Sequence, residues 1–333
     1  MMGLLKHSIG GLWHPLLLSV AALLTGCGGD GSEPPLASGP IATPAPPPIS
    51  TPVPTPPPNS PFGALGQTES QQFAALGVAY RGVEVGGFGD LAIDPATVDP
   101  SIGISFRYMA PSQLLLAIPG YGEGQLALSG GGGTDDRGRT YLLQYRVFGG
   151  HAALSLVRRT NGDYLTHSAL GSWLGPFNPG QRFPYPVAAF AYGVATAANQ
   201  VPRRGAGTYE GPIEGSAALS SANEDVLSYY AGTARLNVDF AGRAVSGTID
   251  IDGENANFPR RTYTLTQTVF AGDGSGFQGR LMRDGAQVNG IIDAKFTGPA
   301  ADEIIVRWSA PVNVRERSGL VFGVWAAPRS QQQ

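Results

Sequence analysis

The chain has 333 residues, which is enough for two domains or for one domain with additional segments. It carries 22 Lys and Arg against 25 Asp and Glu, and no basic patch stands out, which argues against a nucleic-acid partner. Cys27 is its single cysteine, so internal disulfides and cysteine-based metal or redox sites are excluded.

The first 26 residues are predicted to be a lipoprotein signal peptide. Lys6 gives a weakly basic start, and the apolar run at 16–24 is too short to span a bilayer but suits a signal peptide. Leu24-Thr25-Gly26-Cys27 resembles the bacterial lipobox, in which a peptidase cuts before the cysteine and acyl chains such as palmitate are attached to it. The alternative is a signal peptide that ends near a stray cysteine. We expect Cys27 to be the lipid attachment site.

Lipid on Cys27 predicts a firm membrane anchor. Several acyl chains exceed the two signals that stable anchoring needs, since each buried methylene contributes about 0.8 kcal/mol. A lone thiol also suits an oxidising compartment, where a spare cysteine is a liability. Gly28 stands where aspartate favours inner-membrane retention in many lipoproteins. We therefore expect delivery to the outer membrane and display at the cell surface.

Residues 27–61 are predicted to form a proline-rich tether. Between Gly28 and Pro61, 13 of 34 residues are proline. Proline cannot join helix or sheet ladders, and its fixed φ favours extended polyproline II. At about 3.1 Å per residue, the segment would reach about 100 Å from the lipid. A proline-rich recognition ligand is the alternative to this spacer.

Residues 62–200 are predicted to form a β-rich, handle-like subdomain. Apolar runs are short, and alternation with a period of two is typical of strands. A short helix is expected around 70–76, and the glycine-dense segment 129–138 is expected to be a loop. The strand candidates are Gly103–Met109, Leu114–Ile118, Tyr141–Phe148 and Val187–Val194.

Residues 201–333 are predicted to form an antiparallel β-barrel of about eight strands. In 235–240, Leu, Val and Phe share one face while Arg, Asn and Asp share the other, and 244–251 returns after a turn. Asp284-Gly285 marks a further turn. Strands of even length separated by tight glycine turns favour a meander, and closure into a barrel removes exposed edges. The remaining strand candidates are Arg261–Phe270, Gly276–Met282, Gln287–Phe296, Ile304–Trp308 and Leu320–Ala326.

Several segments of the C-terminal half carry a recognisable pattern. They are Gly207–Gly211, Leu236–Phe240, Val245–Ile249, Gly276–Gly279, Gly290–Phe296, Gly298–Glu303 and Val321–Ala326. In these segments the chain resembles the transferrin-binding-protein-like lipoproteins of Gram-negative bacteria. Fainter matches precede them at Leu170–Trp173, Ala189–Thr196 and Pro202–Gly205.

This resemblance implies a handle subdomain followed by an antiparallel barrel, held outward on a lipid anchor. Gly298-Pro299-Ala300-Ala301-Asp302-Glu303 is the most specific match, and in the family it forms a tight turn between late barrel strands. Ile304-Ile305 replaces the glycine pair that follows in the family, so a different build of this turn is expected. The chain also holds one handle and one barrel, where the full receptors have two such lobes.

Few residues beyond the leader suggest chemistry. His151 and His167 are the only histidines left, and both are expected to be half-exposed strand residues, with His167 as an iron or haem ligand the alternative. Asp250, Asp252 and Glu254 suggest a calcium loop, but the required downstream glutamate is missing, so an acidic hairpin tip is favoured. No serine lies in Gly-x-Ser-x-Gly. We predict no catalytic residue, no metal site, no cofactor and no enzymatic activity.

Aromatic residues between 173 and 192 provide one further lead. Core packing is favoured for them, and the rim of a protein-binding patch is the alternative. They are Trp173, Phe177, Phe183, Tyr185, Phe190 and Tyr192.

Taken together, these features predict a non-enzymatic outer-membrane lipoprotein that binds a solute or a host-type protein ligand, in iron or haem acquisition. Haem and an iron-carrying protein are both candidate ligands. An outer-membrane translocator or a TonB-dependent receptor is the candidate envelope partner. The alternative function is that of an envelope adhesin or structural interaction protein that makes contact through its loops.

Overall fold

A computed structural model of the chain describes residues 72–85, 90–93, 95–110, 113–134, 140–147, 150–159, 161–175, 185–220, 225–253 and 260–330. The predicted leader, the predicted lipid attachment residue Cys27 and the predicted proline-rich tether lie outside these residues. All described residues belong to one unit, and every strand pairing among them is antiparallel. The all-β, antiparallel prediction is therefore confirmed.

Nine strands form the first sheet, which we call the ring. They are β1 (Gln72–Val85), β2 (Asp90–Ile93), β3 (Ser105–Ala110), β4 (Gln113–Ile118), β5 (Gly122–Thr134), β6 (Thr140–Val147), β7 (Gly150–Arg158), β8 (Tyr164–Leu174) and β9 (Tyr185–Gly193). The first two residues of β1 pair with β3, its middle pairs with β9, and its end pairs with β2. Because β9 returns to β1, the sheet nearly closes around a core of its own.

Between Phe73 and Tyr80, strand β1 is apolar on both faces. Phe73, Ala75 and Ala79 are buried in the core of the ring. Val78 and Tyr80 are buried on the opposite face, against the second sheet. The helix expected around 70–76 is therefore wrong, because this apolar segment is a strand that is buried on both faces. The loop expected at 129–138 is also wrong in part, since β5 continues to Thr134.

Eight strands close the second sheet into a barrel, which confirms the predicted number. They are β10 (Ala206–Ser220), β11 (Asp225–Asp239), β12 (Ala244–Gly253), β13 (Arg261–Phe270), β14 (Gly276–Arg283), β15 (Ala286–Thr297), β16 (Glu303–Val314) and β17 (Arg317–Ser330). Each strand pairs with the next, and β17 pairs with β10. The expected turn at Asp284-Gly285 joins β14 to β15 with positive φ at both residues, as in the type I′ turns of tight hairpins.

The barrel interior is filled by side chains. Trp308 on β16 contacts the rings of Tyr230 on β11 and Tyr263 on β13, at centroid distances of 5.9 and 5.6 Å. These strands are not neighbours in the sheet, so the rings meet across the interior. Small eight-stranded barrels are commonly packed in this way. Ligand sites must therefore be sought on the outer surface, above all where the ring and the barrel meet.

The connection between the two sheets runs from residue 194 to residue 205. Ala195 forms an isolated bridge with Thr297, and the Thr196 backbone N–H donates to the carbonyl of Phe296 at 3.0 Å. The Thr196 hydroxyl donates to the Gly298 carbonyl at 2.7 Å. The connection is therefore tied to the end of β15, and the ring and the barrel are joined by more than the chain itself.

Candidate functional site

The ring packs on the barrel through an apolar layer, which we call the seam. Tyr80 of β1 contacts Phe322 of β17, with ring centroids 5.4 Å apart and planes inclined at 57°. The buried members of the seam are Leu76, Val78, Tyr80, Val157, Leu165, Ala191, Ala218, Ile305, Phe322, Val324 and Ala326. Residues of β16 and β17 alternate between the seam and the barrel interior, so both faces of these strands are buried.

A buried carboxylate ties the β7–β8 hairpin of the ring to the barrel. Glu303, at the start of β16, has no exposed surface. It accepts hydrogen bonds from the backbone N–H groups of Thr166 and His167 at 2.9 and 3.0 Å. Its Oε1 also receives Nη2 of Arg159 at 2.7 Å. The Thr166 hydroxyl also donates to Oε1, at 3.4 Å. One barrel side chain therefore satisfies four donors of the ring, which is what a buried charge requires.

The turn that precedes Glu303 is held by hydrogen bonds from other strands of the barrel. A 3-10 turn at Pro299–Ala301 links β15 to β16. The Tyr209 hydroxyl donates to the Ala301 carbonyl at 2.6 Å, and burial raises the pKa of Tyr209, partly offset by Arg329. The Arg329 backbone N–H donates to the Asp302 carbonyl at 2.7 Å. The isoleucines that follow Glu303 lie within β16 and do not enter the turn.

A second contact across the seam is made by Arg307, which is ion-paired within the barrel and donates hydrogen bonds to the ring. Nε and Nη2 of Arg307 both donate to Oδ2 of Asp293, each at 2.6 Å. Nη1 of Arg307 donates to the carbonyls of Ile102 and Gly77 in the ring, at 2.7 and 3.4 Å. Arg307 and Asp293 are each 12% exposed. The guanidinium is therefore neutralised and fully engaged.

A cleft of about 680 Å³ opens along the seam between the outer face of β7–β9 and barrel strands β10 and β17. We call it the junction cleft. Strand register places His151, Leu174, Val187 and Tyr80 in one row across β7, β8, β9 and β1. His151 is exposed at the outer end of this row, while Leu174 and Val187 are half-buried. The row offers an apolar surface that ends in an imidazole.

The predicted histidines lie in different surroundings. His151 lines the junction cleft. His167 is half-exposed at the seam, where its backbone N–H donates to Glu303 and its carbonyl accepts from the Val194 N–H at 2.9 Å. The structure does not bring the two histidines together at one site. Backbone hydrogen bonds hold His167 at the seam.

Three of the six aromatic residues considered for a binding patch are core residues. Trp173, Phe190 and Tyr192 are 0%, 0% and 2% exposed. Tyr192 stacks edge-on with Phe106 at 4.6 Å inside the ring. The side chains of the other three lie outside the described residues. Core packing is the correct interpretation for the described three.

The acidic residues at the β12 tip make local contacts. Asp250 accepts a hydrogen bond from the hydroxyl of Thr262 on the neighbouring strand. Asp252 pairs with Arg260 at 3.3 Å. Glu254 lies outside the described residues. Within the described part of the chain, no three His, Cys, Asp or Glu side chains are grouped to hold a metal ion.

Over that same part of the chain, no helix has the length and apolar character needed to cross a bilayer.

Sequence reasoning missed the charged residues of the seam. Glu303 was noted as part of a turn pattern. Nothing in the sequence indicates that its ion partner is Arg159, which lies 144 positions earlier. Arg307 lies between apolar residues of β16, and Asp293 and Lys295 lie in an otherwise apolar stretch of β15. A charged residue in an apolar strand is the one available signal, since such residues are rarely buried without a partner.

By sequence, no protein family and no curated protein matches the chain. Its structure is similar to a double mutant of the vaccine antigen Transferrin Binding Protein B from Haemophilus parasuis Hp5, at 16% identity and a TM-score of 0.41, over 78% of this chain and 45% of that one. It is similar to isotype 1 Transferrin binding protein B from serogroup B Neisseria meningitidis, at 13% identity and a TM-score of 0.37, over 70% and 52%. A solved surface lipoprotein matches at 12% identity and a TM-score of 0.36, over 77% and 100%. The chain thus spans about half the length of the two transferrin-binding proteins.

Proposed function

We propose that this protein is a lipid-anchored lipoprotein of the outer-membrane surface that binds a solute or a host-type protein, in iron or haem acquisition. It acts by binding and not by catalysis. The lipobox at Cys27 and the proline-rich tether support the anchored arrangement, because a long extended spacer carries a folded body away from the membrane. An outer-membrane translocator or a TonB-dependent receptor is the envelope partner that this arrangement would need.

The junction cleft is the observation that carries the binding role. At about 680 Å³ it lies within the size range of small-molecule sites, roughly 300–1,000 Å³. Its row from His151 to Tyr80 crosses four strands, which at about 4.8 Å per strand gives a surface of about 14 Å. A flat apolar ligand can lie along such a row. Imidazole is a common axial ligand of haem iron, so His151 makes haem the solute to test first.

Haem binding is tested with the mature chain from Gly28 to Gln333, secreted behind a cleavable signal and thus free of lipid. Titration with ferric haem should give a saturable Soret band, and His151→Ala should weaken binding at least tenfold. His167→Ala is the matched control, since it removes the other histidine of the mature chain and should leave affinity unchanged. Equal binding by His151→Ala and the unchanged chain would remove His151 from the site.

Protein ligands need a separate experiment. The mature chain, immobilised through its C-terminus, is exposed to transferrin and to haem-carrying proteins, and retained protein is measured. Transferrin is included because the solved structures that this chain resembles are transferrin-binding proteins. If transferrin, haem-carrying proteins and free haem are all left unretained, the role in iron or haem acquisition is wrong.

The anchor is tested by fractionation. The full chain should be found with outer membranes and should incorporate labelled palmitate. Cys27→Ser, exported behind a signal that a different peptidase removes, should be soluble and unlabelled. A correctly trimmed Cys27→Ser protein that still fractionates with membranes would show that Cys27 is not the anchor.

A further inference from the structure

A second cleft lies between the barrel and the ring. It has a volume of about 450 Å³ and shares no lining residue with the junction cleft. Its floor is the outer face of β13–β15, and one wall includes Leu76 of β1 and Ile102, which precedes β3. We call it the lysine cleft, because Lys295 on its floor is the only lysine in the chain after residue 6.

Strand register places polar and apolar groups side by side on this floor. Val269 on β13 lies opposite Gln278 on β14, and Gln278 lies opposite Asp293 on β15. Residues two apart on a strand share a face, so Lys295 points the same way as Asp293. Lys295 lies opposite Gly276, which has no side chain to cover the ammonium. The floor therefore has an amide, a carboxylate and an ammonium within two neighbouring strands.

Val269 is displayed by an irregularity of its strand. The pairing of β13 with β14 shifts register between Thr266 and Val269, and Gln267 has a φ of 49°. Such bulges re-aim the side chains that follow them. Val269 is 69% exposed, the largest exposure of a large apolar side chain in the described part of the chain. It therefore gives the cleft an apolar lip, whereas the next side chain, Phe270, turns to the barrel interior and packs on Phe277.

Two of the charged side chains of the cleft form an ion pair, and the third has no partner of opposite charge in the part of the chain that the structure describes. Arg307 and Asp293 neutralise each other, and the remaining donor of Arg307 is taken by ring carbonyls. The ammonium of Lys295 has no hydrogen bond or ion pair within the described residues. Although the residue is exposed, desolvation by its neighbours lowers the pKa of Lys295, and the nearby Arg307 lowers it further, while Asp293 acts in the opposite direction. An anion bound beside this ammonium would supply the opposite charge that it lacks.

We infer that the lysine cleft binds a small organic anion with an apolar body. The carboxylate or sulfonate head pairs with Nζ of Lys295 and accepts from the amide of Gln278. The apolar body lies between Val269 and the wall that holds Leu76 and Ile102. A charged group that fixes orientation inside a mainly apolar cleft is the usual design of small-molecule sites.

The lone lysine makes the test direct. In the mature chain, reductive methylation with ¹³C-formaldehyde labels Lys295 and the amino terminus, and the dimethylated ammonium keeps its charge. Three probes are titrated and the ¹³C resonance of Lys295 is followed: octanoate, acetate and 1-octanol. Octanoate carries both head and body, acetate only the head, and octanol only the body. Octanoate should shift the resonance saturably, with acetate at least tenfold weaker.

Variants separate the charge from the apolar lip. Octanoate affinity, measured by calorimetry on unmethylated protein, should fall at least tenfold in Lys295→Met and at least threefold in Val269→Ser. Lys295→Arg is the matched control and should stay within threefold of the unchanged chain. Lys295 and Val269 are both exposed, so the unfolding temperatures of these variants should match that of the unchanged chain. Two results would overturn the inference: octanoate bound equally well by Lys295→Met, or acetate bound as tightly as octanoate.

Discussion

Replacing Glu303 should loosen the ring from the barrel. The carboxylate is fully buried and accepts from the N–H groups of Thr166 and His167 and from Arg159. Glu303→Ala leaves these donors without an acceptor. An unsatisfied buried donor costs about 1–3 kcal/mol, and breaking a buried ion pair costs about 3–5 kcal/mol. Arg159 is 30% exposed and can regain water, so the total should be about 4 kcal/mol.

Glu303→Gln should be milder. It keeps one oxygen for a backbone N–H but loses the charge that Arg159 faces, so we expect about 2 kcal/mol, the usual cost of losing a charge-assisted hydrogen bond. At about 2–4 °C per kcal/mol for a body of this size, alanine should lower the unfolding temperature by about 10 °C and glutamine by about half as much. Asp302→Asn removes an exposed carboxylate from the same turn and should change stability by less than about 0.5 kcal/mol.

Two assays follow this effect. Urea unfolding is monitored by tryptophan fluorescence, since Trp173 is buried in the ring while Trp308 and Trp325 are buried in the barrel. Trypsin cleavage after Arg159 reports the β7–β8 hairpin itself, and it should be faster in Glu303→Ala than in the unchanged chain. The reasoning is refuted if Glu303→Ala unfolds within 1 kcal/mol of the unchanged chain, or if Asp302→Asn costs as much.

Three further predictions concern the barrel and the lysine cleft. A Cβ at Gly215 would lie 2.0 Å from the Tyr230 hydroxyl oxygen, so Gly215→Ala should break the 2.8 Å bond of that hydroxyl to the Phe322 carbonyl and cost about 3 kcal/mol in urea unfolding. A cost no larger than that of Tyr230→Phe would contradict this steric reasoning. Gly285→Ala forces an alanine to a φ of 77°, so it should lower the free energy of unfolding in urea by about 1 kcal/mol. An unchanged free energy of unfolding would mean that the turn relaxes. Octanoate binding needs protonated Lys295, whose pKa is lowered from 10.5, so affinity should fall as the pH rises through that lowered pKa. Lys295→Arg should keep its affinity over this range, and a parallel decline in both proteins would exclude lysine titration as the cause.

The sequence predicted the barrel better than the ring for a physical reason. Most barrel strands have one face in the interior and one in water, so 235–240 and 244–251 alternate visibly. The second segment lies within β12, and the first lies in β11 as far as Asp239, with Phe240 already in the turn. The turn at Asp284-Gly285 was readable for a similar reason, because few residue pairs tolerate positive φ twice. The end of β16 was missed, since the strand runs to Val314 and not to Trp308.

Strand β1 shows where this reasoning fails. Phe73 and Leu76 lie three apart, as on a helix face, but they face opposite cores. A strand buried on both faces loses the alternation that identifies it. The seam could not be predicted for the same reason. The residues of β16 and β17 are apolar whether they face the barrel interior or the ring, so the sequence does not distinguish the two faces.

The sequence by itself determined the class of structure and the closure of eight strands into a barrel, which follow from periodicity and glycine turns. The leader at 1–26 and the tether at 27–61 stay predictions, drawn from proline content and a lone cysteine. Only the tertiary structure decided that Glu303 meets Arg159, that Arg307 is neutralised while Lys295 is not, and that His151 ends an apolar row. Those relations depend on strand register and on the packing of one closed sheet against another, which bring together residues far apart in the chain.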